Sequence, residues 1–225
     1  MNYFSTVISL VSERQNFLEE IHHGIKIQSK ISALMISSFC SFALYGAIIG
    51  ASHSPQQMLS SAIKVPALYL ISLLVCLPTL YVFNVFFGAK ESFGQHLAFL
   101  LTPVSIIALL LCGFAPISLF FLLSVKDYRF FLLLNVAIFA LTGIMGVSFL
   151  YKIMKPIAKN DTAQGVKART SILRLWLGLY GLVGTQLGWT LKPFFGTPDG
   201  KFELFRSEGG SFFSAVWNSL MNLLF

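Results

Sequence analysis

The sequence predicts an all-α, polytopic membrane protein with about five transmembrane helices and an amphipathic interfacial helix at each end. Three observations lead there. First, 56% of the 225 residues are hydrophobic and only 11% are charged, with a mean hydropathy of +0.75. An ordinary globular domain carries roughly 25% charged residues, and a soluble chain this apolar could not cover itself with polar surface. Second, the apolar residues are gathered into five blocks that hold no Asp, Glu, Lys, Arg or His. Third, apolar residues recur at helical spacing in both terminal segments.

A helix needs about 20 apolar residues to cross a hydrocarbon core of about 30 Å. The first block runs from Ile31 to Gly50 and the second from Val65 to Phe87. The third, Leu97 to Leu123, contains Pro103 and Pro116 and is long enough to be tilted or broken. The fourth is Phe131 to Tyr151, and the fifth, Leu175 to Leu191, is the shortest and richest in glycine. A five-helix bundle over residues 31–191 follows, flanked by an interfacial helix within 1–28 and an outward turn and amphipathic helix within 192–225.

Basic residues set the orientation, because they are retained on the cytoplasmic side. With the N-terminus inside, the inner side holds ten: Arg14, Lys26, Lys30, Lys90, Lys152, Lys155, Lys159, Lys167, Arg169 and Arg174. The outer side holds six: Lys64, Lys126, Arg129, Lys192, Lys201 and Arg206. A long basic loop between the fourth and fifth blocks supplies six of the ten. The N-terminus is therefore expected in the cytoplasm and the C-terminus outside, in a bacterial inner membrane. The net charge of +7 lacks a basic face, so it points to anionic lipid on the cytoplasmic side and away from nucleic acid.

The terminal segments carry their own patterns. Over residues 4–25, Phe4, Val7, Ile8, Val11, Leu18, Ile21 and Ile25 share a side, with Ser9, Glu13, Asn16 and Glu20 opposite. Glu13, Arg14, Glu19 and Glu20 leave no short apolar core of the kind a cleavable signal peptide needs. After Gly209 and Gly210, Ser211 can cap a helix whose apolar side is Phe213, Val216, Trp217, Leu220, Leu223 and Leu224. Trp189, Lys192 and Trp217 are the expected membrane-interface residues, and Pro198, Asp199 and Gly200 read as a turn.

Within the spans, glycine spacing is the main signal. Gly46 with Gly50, and Gly184 with Gly188, make GxxxG pairs, and Gly178 and Gly181 extend the second toward its N-terminus. Such positions let helix backbones approach where lipid offers no hydrophobic drive, so these six are the expected helix-packing residues. Asn84, Asn135 and Gln186 are the chief polar residues in the blocks, and Asn84 and Gln186 could line a polar path or bond a neighbouring helix. No carboxylate sits at mid-membrane as a proton- or sodium-driven carrier would need.

Reaction chemistry is not in evidence. Cys40, Cys76 and Cys112 are odd in number and lie inside apolar blocks, where they read as packing residues. His22 and His23 point about 100° apart on a helix and make a poor chelating pair. GxSxG and HExxH are missing, and the Gly-Thr-Pro ending at Pro198 is a turn rather than a nucleotide loop. The chain is expected to be no enzyme and to take no cofactor or metal.

The layout, together with Lys64-Val-Pro-Ala-Leu-Tyr69 and Leu77-Pro-Thr-Leu-Tyr81, resembles the Yip-type superfamily of small five-span membrane proteins over roughly residues 30–151. The stretch from Trp189 to Phe205 looks like an extension found in bacterial proteins. Eukaryotic members of that superfamily are similar to adaptors working with small GTPases, and the resemblance brings no catalytic residues. It implies a non-enzymatic, partner-binding membrane protein. Two function classes stand. One is an accessory or scaffold subunit whose partners are other membrane protein subunits. The alternative is a channel or transporter component, open to homo-oligomerisation.

Overall fold

The computed structural model describes residues 3–86, 91–125, 127–157, 163–196, 201–205 and 214; side chains are described for these except at 3–5, 154–157 and 163–170. Among the described residues all regular structure is helical: α1 Tyr3–Ser12, α2 Arg14–His22, α3 Ile27–Ala51, α4 Pro55–Phe86, α5 Phe93–Ser124, α6 Tyr128–Ile157 and α7 Ala163–Leu191. Four helices, Ile27–Ala51, Pro55–Phe86, Phe93–Ser124 and Tyr128–Ile153, are long and apolar enough to cross a membrane.

Local chemistry sets the helix starts. Ser54 accepts from the Gln57 amide at 3.1 Å while Pro55 occupies the first helical position, where no amide partner is needed. Ser92 and Gln95 form a reciprocal capping box at the start of α5: the Gln95 amide donates to Ser92 Oγ at 3.3 Å and the Ser92 amide to Gln95 Oε1 at 2.7 Å. Asp127 accepts from the Arg129 amide at 2.8 Å ahead of α6.

Three expectations change. The third block is one unbroken helix with Pro103 and Pro116 both inside it, and α4 likewise contains Pro66 and Pro78. A proline inside a spanning helix removes one backbone bond, which neighbouring side chains and carbonyls can offset. The long basic loop before the fifth block is instead largely helical: α6 extends to Ile157 and α7 begins at Ala163, so most of its lysines and arginines ride on helix ends. Lys64, expected in an outer loop, lies three turns inside α4, which starts at Pro55.

The N-terminal segment also differs. It is two helices that part at Glu13 (φ −122°, ψ 49°), and the face packed on the bundle is Leu10, Phe17 and Ile21 with Thr6. Ile8, Val11 and Ile25, expected on the apolar side of an interfacial helix, are exposed and not packed on the bundle. The side chain of Phe4, the expected C-terminal helix with Trp217, and the Pro198–Gly200 turn lie outside the described residues.

α3 is the hub. It packs against α4 and α5 on either side and carries α1; α5 in turn carries α6 and α2, and α4 carries α7. Near the turn that joins them, α3 and α4 meet backbone to backbone. A methyl at Gly46 would overlap the Ser61 carbonyl and one at Gly50 the Gln57 carbonyl, so only glycine fits at either place. Gly146 plays a similar part against the Ile107 side chain, between α6 and α5, and had no spacing signal to mark it.

Candidate functional site

One face of α4 carries Gln57, Ser60, Ser61 and Lys64, all buried, with Gln57 fully so and Lys64 only 4% exposed. Polar groups can be buried at this density only if partners are supplied. Partners for Gln57 Nε2, Ser61 and Lys64 come from the segment following α7, whereas Gln57 Oε1 and Ser60 Oγ meet none among the described residues. Gln57 Nε2 donates to the Pro193 carbonyl at 2.8 Å and to the Phe194 carbonyl at 3.2 Å. Ser61 Oγ donates to the same Phe194 carbonyl at 2.5 Å. Lys64 Nζ donates to the Pro193 carbonyl at 3.3 Å and to the Leu204 carbonyl, and lies 4.9 Å from the centre of the Phe205 ring.

The next two carbonyls are met as well. Ser52, in the turn between α3 and α4, donates to Phe195 O at 3.4 Å, and Tyr128, at the start of α6, donates to Gly196 O at 2.6 Å. Gly196 has φ +73°, and a Cβ there would meet the His53 ring at 2.6 Å, so this position needs glycine twice over. Four successive carbonyls of an extended strap, Pro193 to Gly196, are thus each taken by a side-chain donor. The donors come from α4, the α3–α4 turn and α6. The strap ties the end of α7 across that end of the bundle.

Two polar clusters sit deeper. Tyr45 of α3 donates to Asn135 Oδ1 of α6 at 2.6 Å, and Ser118 of α5 donates to the same oxygen at 3.1 Å. Asn135 Nδ2 returns to the Phe131 carbonyl at 2.8 Å, and the hydroxyls of Ser38 and Ser105 pair at 2.8 Å between α3 and α5. On the other side of α4, Trp176 Nε1 donates to the Cys76 carbonyl at 2.8 Å and Tyr180 to the Tyr69 carbonyl at 3.3 Å. Tyr69 in turn stacks on Phe42 of α3, centroids 4.3 Å apart.

The opposite end of the bundle is held by charge. Lys30, 1% exposed, pairs with Glu20 at 2.5 Å and lies 4.8 Å from the Phe17 ring centre. Gln95, besides its capping role, donates to the carbonyls of Ile21 and His22 at 3.0 and 2.6 Å, which closes the C-terminus of α2.

The residues singled out from the sequence are spread over this frame. Gly46 and Gly50 face the α4 backbone. Gly184 and Gly188 face α4 side chains at ordinary contact distance, 3.8 Å to Ser72 Oγ and 4.0 Å to Leu68 Cδ1. Gly178 and Gly181 point outward, with no described atom within 4 Å of an added methyl. Asn84 is buried near the end of α4, whereas Gln186 lies on α7 opposite the Leu68–Ser72 stretch, so about 20 Å of helix separates the two. Lys192 Nζ sits 3.2 Å from the centre of the Trp189 ring. Cys76 is buried and Cys112 half-buried, but Cys40 is exposed on α3 and packs against less than expected.

The strap donors escaped sequence reading because Lys64 was counted as a loop charge. Placing Gln57 and Ser61 with Lys64 on one helix face, at a spacing of i, i+4 and i+7, was the available signal. Four apolar helices of spanning length around a buried polar frame place the chain among multi-pass α-helical membrane proteins. Beyond that class the comparisons add nothing: no known protein family matches the chain, and no curated protein or solved structure matches it either.

Proposed function

We propose that this chain is a non-enzymatic accessory or scaffold subunit of a larger membrane protein complex, with α7 as a fifth crossing. The observation that carries this reading is the outward glycine face of α7. One side of α7 is packed on α4 through Trp176, Tyr180, Gly184 and Gly188. Its other side, with Leu175, Gly178, Gly181 and Leu182, is exposed. A helix backbone bare of side chains is the kind of surface another spanning helix can approach closely. The polar groups that could have served chemistry are committed to holding helices together, as Tyr45, Asn135, Gln57, Ser61 and Lys64 illustrate.

The fifth crossing follows from direction. Trp176 meets Cys76, Tyr180 meets Tyr69, Gly188 meets Leu68 and Pro193 meets Gln57, so α7 runs antiparallel along α4 for most of its length. A helix lying along a spanning helix passes through the same depth of hydrocarbon, and the stretch from Leu175 to Leu191 is uncharged. With the basic ends of α6 and α7 in the cytoplasm of a bacterial cell, beside anionic lipid, the strap lies on the outer face. The resemblance to the Yip-type superfamily, an expectation from the sequence alone, would suit a partner-binding role.

Extraction in mild detergent followed by native mass spectrometry tests the reading. The wild-type chain is expected to carry further membrane subunits, and Gly178→Leu with Gly181→Leu to lose them while the isolated chain stays folded. A wild-type chain recovered only as a bare monomer would overturn it.

A further inference from the structure

We propose that α1 is buried in the hydrocarbon of one leaflet, wedged between the bundle and the acyl chains, while α2 stays in the aqueous interface; this rests on the membrane reading above. The two helices differ in kind. Tyr3–Ser12 contains no charged residue, whereas Arg14–His22 carries Arg14, Glu19, Glu20 and His22. The change of composition coincides with the bend at Glu13.

The inner face of α1 is covered by protein: Thr6 and Leu10 are buried, and α1 packs on α3. Its outer face is not, with Ile8 48% and Val11 60% exposed. Ser12 is exposed too, at the end next to Glu13, and no charged side chain of the kind a helix in water would show stands on that face. The helix that carries it also exposes apolar side chains, Met35, Ile36 and Phe39 of α3. The occupant that fits both surfaces is lipid hydrocarbon.

Length and hydrogen bonding agree. Ten residues of helix reach about 15 Å, half of a hydrocarbon core of about 30 Å, so α1 can enter one leaflet but cannot cross. The helical ladder pauses only at the bend: the Glu13 amide donates to Ser9 O at 2.9 Å and closes α1, and the Phe17 amide donates to Glu13 O at 3.0 Å and opens α2. Such a pause suits the edge of the hydrocarbon, where water can reach the backbone, and leaves α1 itself internally bonded. Charge begins beyond the bend: Arg14 lies 4.8 Å from the Phe149 ring centre of α6, and Glu20 pairs with Lys30 at the start of α3. These charges belong to the headgroup region.

Spin labels read the depth directly. In a background with Cys40→Ser, Cys76→Ala and Cys112→Ala, single cysteines are placed at Ile8, Val11, Asn16 and Phe39 and labelled with a nitroxide. The full chain is then reconstituted in vesicles of phosphatidylcholine and phosphatidylglycerol. Labels at Ile8, Val11 and Phe39 are expected to relax with oxygen and to ignore a water-soluble nickel chelate, and the label at Asn16 to respond to nickel. Nickel access at Ile8 and Val11 with Phe39 still shielded would overturn the proposal and leave the membrane reading standing. Shielding of Ile8 and Val11 from both reagents would overturn it too, since protein would then cover the face. Nickel access at Phe39 would remove the membrane reading itself.

Discussion

α3 and α7 both lie along α4, and they hold it by different means. The α3 contact is backbone against backbone at Gly46 and Gly50, with no room for a methyl group at either position. The α7 contact is made by side chains reaching across: an indole to the Cys76 carbonyl, a phenol to the Tyr69 carbonyl, and beyond the helix a strap of carbonyls laid on Gln57, Ser61 and Lys64. Both pairs carry a GxxxG, yet only one is tight. Small residues permit close approach; whether it happens depends on what else the two faces offer. On α7, Trp176 and Tyr180 hold the helix at side-chain distance, and the glycines beyond them meet only the tips of Ser72 and Leu68.

The comparison breaks most sharply at its tight side. Gly50→Leu is expected to have the largest effect, because the clash is with the Gln57 main chain, which cannot rotate away, and Gln57 also anchors the strap. Overpacking in a well-packed core costs about 1–3 kcal/mol when side chains can shift, and a backbone overlap lies at or above the top of that range. Thermal unfolding in detergent should show loss of the folded monomer, or a midpoint lowered far more than by Gly188→Leu, whose neighbour is the flexible end of Leu68. Equal effects at the two glycines would erase the distinction.

Second in size is the strap. Lys64→Met keeps the length of the side chain and removes its donor, so the Leu204 carbonyl loses the partner described for it and the Pro193 carbonyl keeps only Gln57. Leu204 is exposed, so water can take over its carbonyl, and what is lost is the net worth of bonds from a charged donor, about 1.5–3 kcal/mol. Limited proteolysis should then cut within residues 192–205 faster than in the wild type, with the helices themselves intact. Protection unchanged from the wild type would mean that Lys64 contributes nothing to holding the strap.

Much of this frame could be read from the sequence because hydrocarbon is a severe solvent. Each of the first four apolar blocks falls on one of the four long helices over its described residues, since uncharged stretches of that length have few other places to go. The ends of the helices were harder to read. α4 begins at Pro55 rather than near Val65, because Ser54 and Pro55 are a helix start written in polar residues that hydropathy alone assigns to a loop. That shift of a few turns hid the site: with Lys64 in a loop, no face containing Gln57 and Ser61 exists. The α1–α2 bend was missed for a related reason. A single helical projection over residues 4–25 averages two faces, one set by Leu10 and one by Phe17 and Ile21.

A smaller effect is expected where α7 is pinned by its indole. Trp176→Phe removes one hydrogen bond to the Cys76 carbonyl and keeps the aromatic stack on Tyr180, whose centroid is 5.4 Å away. Bonds between helices in membranes average about 0.6 kcal/mol, so the midpoint of unfolding should drop only slightly. A loss as large as that of Gly50→Leu would show that α7 depends on a single contact instead of a row of them.

The smallest effect on the chain itself should come from Gly178→Leu, and that makes it the most informative of the series. No described atom lies within 4 Å of the added Cβ, and leucine favours helix over glycine by about 1 kcal/mol, so the isolated protein should be as stable as the wild type or slightly more so. If another helix docks on this face, however, the same side chain stands where the two backbones would meet, and the cost appears only in the assembly. The pair of measurements separates the two roles a membrane glycine can have. Destabilisation of the monomer would place Gly178 with Gly50, as an internal packing position. A stable monomer that has lost its co-purifying subunit would assign the outward face of α7 to a partner, whereas a stable monomer with its assembly unchanged would leave that face to lipid.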